Sequence, residues 1–281
     1  MSNSVEKIYT LVQKLAVEAF ADRLLAVYLI GSLSHGGFAV NTSDIDVAFI
    51  IDGEVAQSDW DTFDTIDKKV KDSGLELAER ISIFWSTPSV LSTHVTSGAF
   101  PAPSYEDGLF PPFDVLDLLQ NGKLIYGRDV REMFLAPTQD DLYIAGVEFL
   151  LSYVREQTTA YLKNMESYIR SSPQKISKTI LFPIRLLYTL ETGKVGNNNE
   201  AAEFISRNPV ISQDIKEVVK MAMALRNGEL VDTSRLKDSH DIVLKIYSNL
   251  LDLNNEKMKE LNRESFRNEL SEWRGELKSI I

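Results

Sequence analysis

The chain has 281 residues, 44% hydrophobic and 25% charged, with 14 glycines and 9 prolines, a composition inside the range of soluble globular proteins, so disorder is not the default reading. It carries no cysteine, which excludes disulfides, zinc–thiolate sites and cysteine nucleophiles together. The net charge of -11 belongs almost wholly to the first half, where residues 1–137 hold 10 Lys/Arg against 20 Asp/Glu while residues 138–281 hold 20 against 21, so no basic stripe suited to long nucleic acid is present.

The first expected element is a helix from Val5 to Phe20, with Ile8, Leu11, Leu15 and Ala19 on one face. Glu6, Lys7, Lys14 and Glu18 inside that period read as a helix rather than a signal peptide. Leu24 to Ile30 is an almost wholly apolar run ending at Gly31, as expected of a strand covered on both faces. Asp44 to Ile51 is a second strand and Leu77 to Trp85 a third, with a helix between them marked by Trp60, Phe63, Ile66 and Val70. Thr93 to Phe113, holding Pro101, Pro103, Pro111 and Pro112, is expected to be a long loop, either a lid or a packed connector. A short helix from Asp114 to Gln120 and a strand from Lys123 to Tyr126 complete the first domain, residues 1–135.

Residues 136–281 show helical periods alone. One helix is expected from Asp140 to about Met165, and a second carries Ile176, Ile180, Ile184 and Leu187, with Pro183 kinking it or marking an early turn. A third carries Ile211, Ile215, Val218, Ala222 and Leu225, a fourth Val243, Ile246, Leu250 and Leu253, and a last one runs from Glu264 to Ile281. Each buries one stripe, so this half is expected to be a helical bundle. No apolar run approaches the ~18–20 residues needed to span a bilayer. A soluble, cytoplasmic protein with no membrane partner is the expectation, and the oligomeric state stays open.

The candidate site lies between the first two strands. Gly31, directly after a buried strand, permits a sharp turn that brings backbone N–H groups close to an anion, and Ser32 adds a hydroxyl. A helix starting at Ser34 would aim its positive end at the same anion. Together they suit the β- and γ-phosphates of a nucleoside triphosphate. Asp44 and Asp46 point to one side of their strand because side chains two apart share a face. Two carboxylates so close repel unless a cation lies between them, and Mg²⁺ is commonly held by one or two carboxylates plus substrate phosphates. A third carboxylate is expected from the next strand: Glu79, as metal ligand, general base or both, with Glu76 as the alternative.

These residues resemble the DNA polymerase β-like nucleotidyltransferase superfamily, whose pattern of Gly-Ser, about ten residues and Asp-x-Asp is met by Gly31, Ser32, Asp44 and Asp46. The resemblance covers roughly residues 24–130. It implies an α+β fold in which a mixed sheet flanked by helices precedes the C-terminal bundle, two-metal catalysis and transfer of a nucleoside monophosphate.

The segment Thr179 to Phe204, with Arg185-Leu186-Leu187-Tyr188, Thr192-Gly193-Lys194-Val195 and Glu200-Ala201-Ala202-Glu203-Phe204, is similar to the helical domain of streptomycin/spectinomycin adenylyltransferases. That similarity implies Glu79 as catalytic base, ATP as substrate with Mg²⁺, Lys194 as a phosphate ligand and an aminoglycoside-like acceptor. Read from position alone, Lys194 is a cation complementing a helix end. Protein AMPylation, and a regulatory module that binds nucleotide without turnover, are the alternative functions.

Of the remaining residues, His35 is either a phosphate contact or a loop histidine, and His94 and His240 have no helpful neighbours. Glu148, Glu191 and Asp141 are either solvated charges or groups attracting ammonium. Trp60 and Phe63 are expected in the core. Trp85 is either core or a stacking platform.

Overall fold

The computed structural model describes residues 3–40, 43–93, 108–232 and 240–280, and the chain divides into two units, Met1–Asp141 and Leu142–Ile281. The first contains α1 (Asn3–Phe20), β1 (Leu24–Leu29), β2 (Ile45–Ile51), α2 (Gln57–Lys71), β3 (Ile81–Ser86), α3 (Pro88–Thr93), α4 (Pro112–Asn121) and β4 (Lys123–Gly127). The strands form one mixed sheet in the order β3-β2-β1-β4. In it β1 is antiparallel to both β2 and β4, while β2 and β3 are parallel. Parallel neighbours need a crossover connection, and α2 supplies it. Most of the Pro-rich segment, residues 94–107 with His94, lies outside the described residues.

The two-residue period of β1 and β2 sorts their side chains onto opposite faces. Val27, Leu29, Val47, Phe49 and Ile51 join a core with Ile8 and Val12 of α1 and Phe63 and Ile66 of α2. Ala26, Tyr28, Ile30, Ala48 and Ile50 join a second core with Val115 and Leu118 of α4. The run Leu24–Ile30 is apolar at nearly every position because helices cover both faces.

Tyr28 ties β1 to the segment after β4. Its ring is fully buried, and its hydroxyl donates to Asp129 at 3.0 Å and accepts the Val130 N–H at 2.9 Å. Burial pushes the Tyr28 hydroxyl up to about 12, with the Asp129 carboxylate acting in the same direction. A value raised above that of the unfolded chain contributes stability that is complete below pH ~10 and is lost as pH rises through the folded value. The melting temperature should therefore fall more steeply in wild type than in Tyr28→Phe between pH 10 and 12. At neutral pH Tyr28→Phe should cost about 1–2 kcal/mol, because the Val130 N–H is left without its acceptor. Thermal melts of both proteins across pH check this.

The second unit is wholly helical in its described residues, and α5, which leads into it, begins at the end of the first. The helices are α5 (Gln139–Phe149), a π-helical turn (Leu150–Val154), α6 (Arg155–Lys163), α7 (Met165–Ile169), α8 (Pro173–Thr192), α9 (Asn198–Arg207), α10 (Gln213–Arg226), α11 (His240–Glu260) and α12 (Glu264–Lys278). The single helix expected over Asp140–Met165 is thus interrupted by the wider π turn. No helix among the described residues is long and apolar enough to cross a membrane.

Pro183 lies in the middle of α8 rather than in an early turn, and the helix continues through it. Proline lacks an N–H, so the Thr179 carbonyl one turn earlier has no intrahelical donor. The Tyr247 hydroxyl of α11 supplies one at 2.8 Å, in a wholly buried position. Thr158 of α6 donates to the same hydroxyl at 3.5 Å. Tyr247→Phe should destabilise the protein by about 1–3 kcal/mol, the cost of an orphaned buried carbonyl. Pro183→Ala restores an N–H at the right place, so the double variant should recover most of that loss. Denaturant unfolding of the two single variants and the double variant measures the coupling.

Candidate active site

Antiparallel pairing brings the end of β1 against the start of β2. Leu29 opposes Val47, and the Ile30 N–H donates to the Asp46 carbonyl at 3.1 Å. The chain leaves β1 at Gly31 with φ of +63°, and a Cβ there would lie 2.1 Å from Oδ2 of Asp46. Glycine is required twice over, for its backbone angle and for the carboxylate packed against its Cα.

Between β1 and β2 the described residues form a 3-10 turn, Gly31–Leu33, and no α-helix. The Gly31 carbonyl accepts the Ser34 N–H at 3.0 Å, the His35 N–H at 3.3 Å and the Ser34 hydroxyl at 2.8 Å. A helix starting at Ser34, which would have aimed its positive end at the anion, does not form, and Gly36 at φ of +80° turns the chain instead. No helix N-terminus faces the site from this segment. The Gly31 N–H, expected to meet an anion, instead donates to Oδ2 of Asp117. Ser32 is half-buried, and its hydroxyl has no partner among the described residues, which leaves it able to bond a ligand.

Asp44 is exposed just before β2, and Asp46, the second residue of that strand, is half-buried. Asp46 shares its face with Ala48 and Ile50, the face α4 covers. The segment leading into Asp44 is closed on itself: Ser43 N–H donates to the Ala39 carbonyl at 2.9 Å, and Ala39 N–H to Oγ of Ser43 at 2.9 Å. Arg80 adds a clamp, its guanidinium donating to the carbonyls of Val40 and Ser43.

Glu79 is not on a strand. Leu77 adopts φ of +71°, a left-handed conformation that ends any extension, and Ala78–Arg80 form a 3-10 turn, so β3 starts only at Ile81. Glu79 lies exposed on that turn, and the β3 residue opposite Asp46 is Ser82. Glu76 accepts the Ser4 hydroxyl at 2.7 Å, on the exposed surface. Among the described residues no three His, Asp or Glu side chains are gathered closely enough to hold a metal. Asp44 and Asp46 alone are an all-oxygen donor pair, which suits Mg²⁺ completed by phosphate oxygens and water.

Sequence reasoning missed Asp117. It is 3% exposed on α4, accepting from Gly31 through one oxygen and from Nδ2 of Asn121 through the other at 2.7 Å. The signal was present: an acidic residue inside Val115-Leu116-Asp117-Leu118-Leu119 is as awkward as Glu79 beside Ile81.

In the second unit Lys194 is exposed, one residue past Gly193 at φ of +65°, where α8 ends, and its N–H donates to Oγ1 of Thr192 at 3.3 Å. Glu191 is exposed. Burial raises the Glu148 carboxyl above the usual carboxylate range, with the Arg263 guanidinium opposing it. His240 bonds the Leu162 carbonyl at 2.9 Å. In the first unit Asp141 accepts the Thr138 N–H at 2.8 Å at the start of α5, a helix-capping role, and His35 is half-buried in the turn after Leu33. Trp85 is 1% exposed and packs against Trp60 and Phe63 at 5.0 and 4.8 Å between ring centroids, on the face away from Asp46, so it is core.

No family model matches the chain, and no curated protein matches its sequence. Among solved structures it is similar to the spectinomycin adenyltransferase AAD(9) from Enterococcus faecialis, crystallised with ATP and spectinomycin. The TM-score is 0.48 and the identity 14%, over 97% of this chain and 99% of that one.

Proposed function

We propose that the chain is a Mg²⁺-dependent nucleotidyltransferase that transfers AMP from ATP to a hydroxyl of a small acceptor, of which an aminoglycoside-like molecule is the best candidate. The observation that supports this reading is the packing of the Asp46 carboxylate against Gly31, the glycine of the Gly-Ser turn. Mg²⁺ held by Asp44 and Asp46 would neutralise triphosphate oxygens and favour departure of pyrophosphate. Ser32 would donate its hydroxyl to a phosphate oxygen. Glu79, exposed on the turn before β3, remains the proposed base toward the acceptor hydroxyl, and Lys194 the proposed phosphate ligand of the helical unit. The assignment of residues 1–135 as catalytic and 136–281 as substrate-binding belongs to the same proposal.

One observation favours a second reading. The strand position beside Asp46 is Ser82 rather than a carboxylate, which suits a module that binds nucleotide without turning it over. Steady pyrophosphate release from ATP, measured with Mg²⁺ and with EDTA across a panel of hydroxyl acceptors, separates the two. Release that needs both Mg²⁺ and one acceptor supports transfer. Tight ATP binding with no release under any acceptor supports the second reading.

A further inference from the structure

We infer that Asp117 is a positioning residue of this site, whose buried carboxylate holds the Gly31 amide and thereby fixes the turn on which Ser32 and the Asp46 carboxylate depend; the inference rests on the nucleotidyltransferase reading for its functional consequence.

Three observations meet at Gly31. Asp117 accepts its N–H from α4. The Asp46 carboxylate fills the space beside its Cα. Its carbonyl gathers three donors from Ser34 and His35. Both backbone polar groups of the residue are therefore engaged, and of its partners Asp117 is the most remote in sequence. The sheet explains why α4 can do this. Tyr28, Ile30, Ala48 and Ile50 share one face with Asp46, and Val115 and Leu118 of α4 pack on it, so residue 117 arrives at the end of β1.

A carboxylate is a costly choice for a buried amide acceptor, because no lysine or arginine forms an ion pair with Asp117 among the described residues and its other partner is the neutral Asn121. Ionised acceptors form the stronger hydrogen bonds, and a short side chain on a helix offers few positions. Burial at 3% exposure places Asp117 behind the turn rather than in the space a ligand would occupy. Its action on a nucleotide is through Gly31, and it is not itself a catalytic residue.

The role predicts a separation between two substitutions. Asp117→Asn keeps an oxygen for the Gly31 N–H, and Asn121 can turn its amide to match. Asp117→Leu keeps the volume and removes the acceptor. In the full-length, nucleotide-free protein the Gly31 amide should exchange with solvent at least about tenfold faster in Asp117→Leu than in wild type, and within about threefold of wild type in Asp117→Asn. MgATP affinity by calorimetry should follow the same order, about tenfold weaker in the first and within about threefold in the second. Unchanged Gly31 exchange in a folded Asp117→Leu, or equal acceleration in both variants, overturns the inference. Should Asp117→Leu fail to fold, the Gly31 amide proton decides: it should resonate downfield in wild type and move upfield in Asp117→Asn, and an unmoved resonance overturns the assignment. Failure of wild type to bind MgATP would count against the nucleotidyltransferase reading, while the exchange and resonance readouts judge Asp117 separately.

Discussion

Asp46→Asn is expected to lower kcat/KM for nucleotidyl transfer by about 1,000-fold or more, roughly 4 kcal/mol of transition-state stabilisation, and Asp44→Asn by a similar factor. Both side chains are proposed to act through their charge, and the amide keeps the shape while removing it. Neither substitution should cost much stability. Asp44 is exposed before β2 begins, so its replacement belongs with surface changes, within about 0.5 kcal/mol of wild type. Asp46 lies against Gly31, and the amide keeps its shape there, so Asp46→Asn should stay folded and melt close to the wild-type temperature. Activity lost while stability is kept is the signature of a ligand-holding carboxylate. Pyrophosphate release and thermal melts on the same preparations check it. Full activity in both variants removes the proposed metal-holding role.

Gly31→Ala should be nearly as damaging to activity by a different route. The left-handed backbone at φ of +63° costs an L-residue about 1–2 kcal/mol. The new methyl would also lie 2.1 Å from Oδ2, 2.9 Å from Cγ and 3.2 Å from Cβ of Asp46, so the carboxylate has to rotate away. A side chain can do this cheaply, which confines most of the stability loss to the backbone term. The displaced carboxylate no longer faces the turn, and a misplacement of about 1 Å can cost on the order of 100-fold in rate. Gly31→Ala is therefore expected to lower kcat/KM by about 100-fold while unfolding only about 1–2 kcal/mol more easily. Denaturant unfolding alongside steady-state kinetics measures both. A variant destabilised but within about threefold of wild-type kcat/KM would show that the Asp46 orientation beside Gly31 has no part in the reaction.

The legible part of the fold was carried by periodicity. β1 and β2 announced themselves as apolar runs because helices cover both faces of the sheet, and α2, α10 and α11 as single apolar stripes; α1 was legible as a helix, but its buried stripe is Val5, Ile8, Val12, Ala16 and Phe20, while Leu11 and Leu15 are only partly buried and Ala19 is exposed. The start of β3 was not legible, since a non-glycine residue at positive φ, Leu77, gives no warning in composition, and Glu79 was carried off the strand with it. Pro183 was legible as a proline inside a helix, but what lets the helix continue through it was not. A proline breaks a helix unless something distant satisfies the freed carbonyl, and the Tyr247 hydroxyl that bonds Thr179 lies 68 positions away from it. In the site, Gly31 and Asp46 were legible as a local pattern, and their contact follows from antiparallel pairing of adjacent strands. Asp117 and Arg80 were not, because each acts on the backbone of a residue remote in sequence, and no local spacing records a hydrogen bond from α4 to the end of β1.

The fate of the α-phosphorus tests the central claim most directly. ATP labelled at that atom, incubated with the protein, Mg²⁺ and a panel of aminoglycosides and related hydroxyl acceptors, should leave its label covalently on one small acceptor, with pyrophosphate released in equal amount and no transfer by Asp46→Asn. Label that stays on the nucleotide under every acceptor, or that appears on protein alone, would contradict the account.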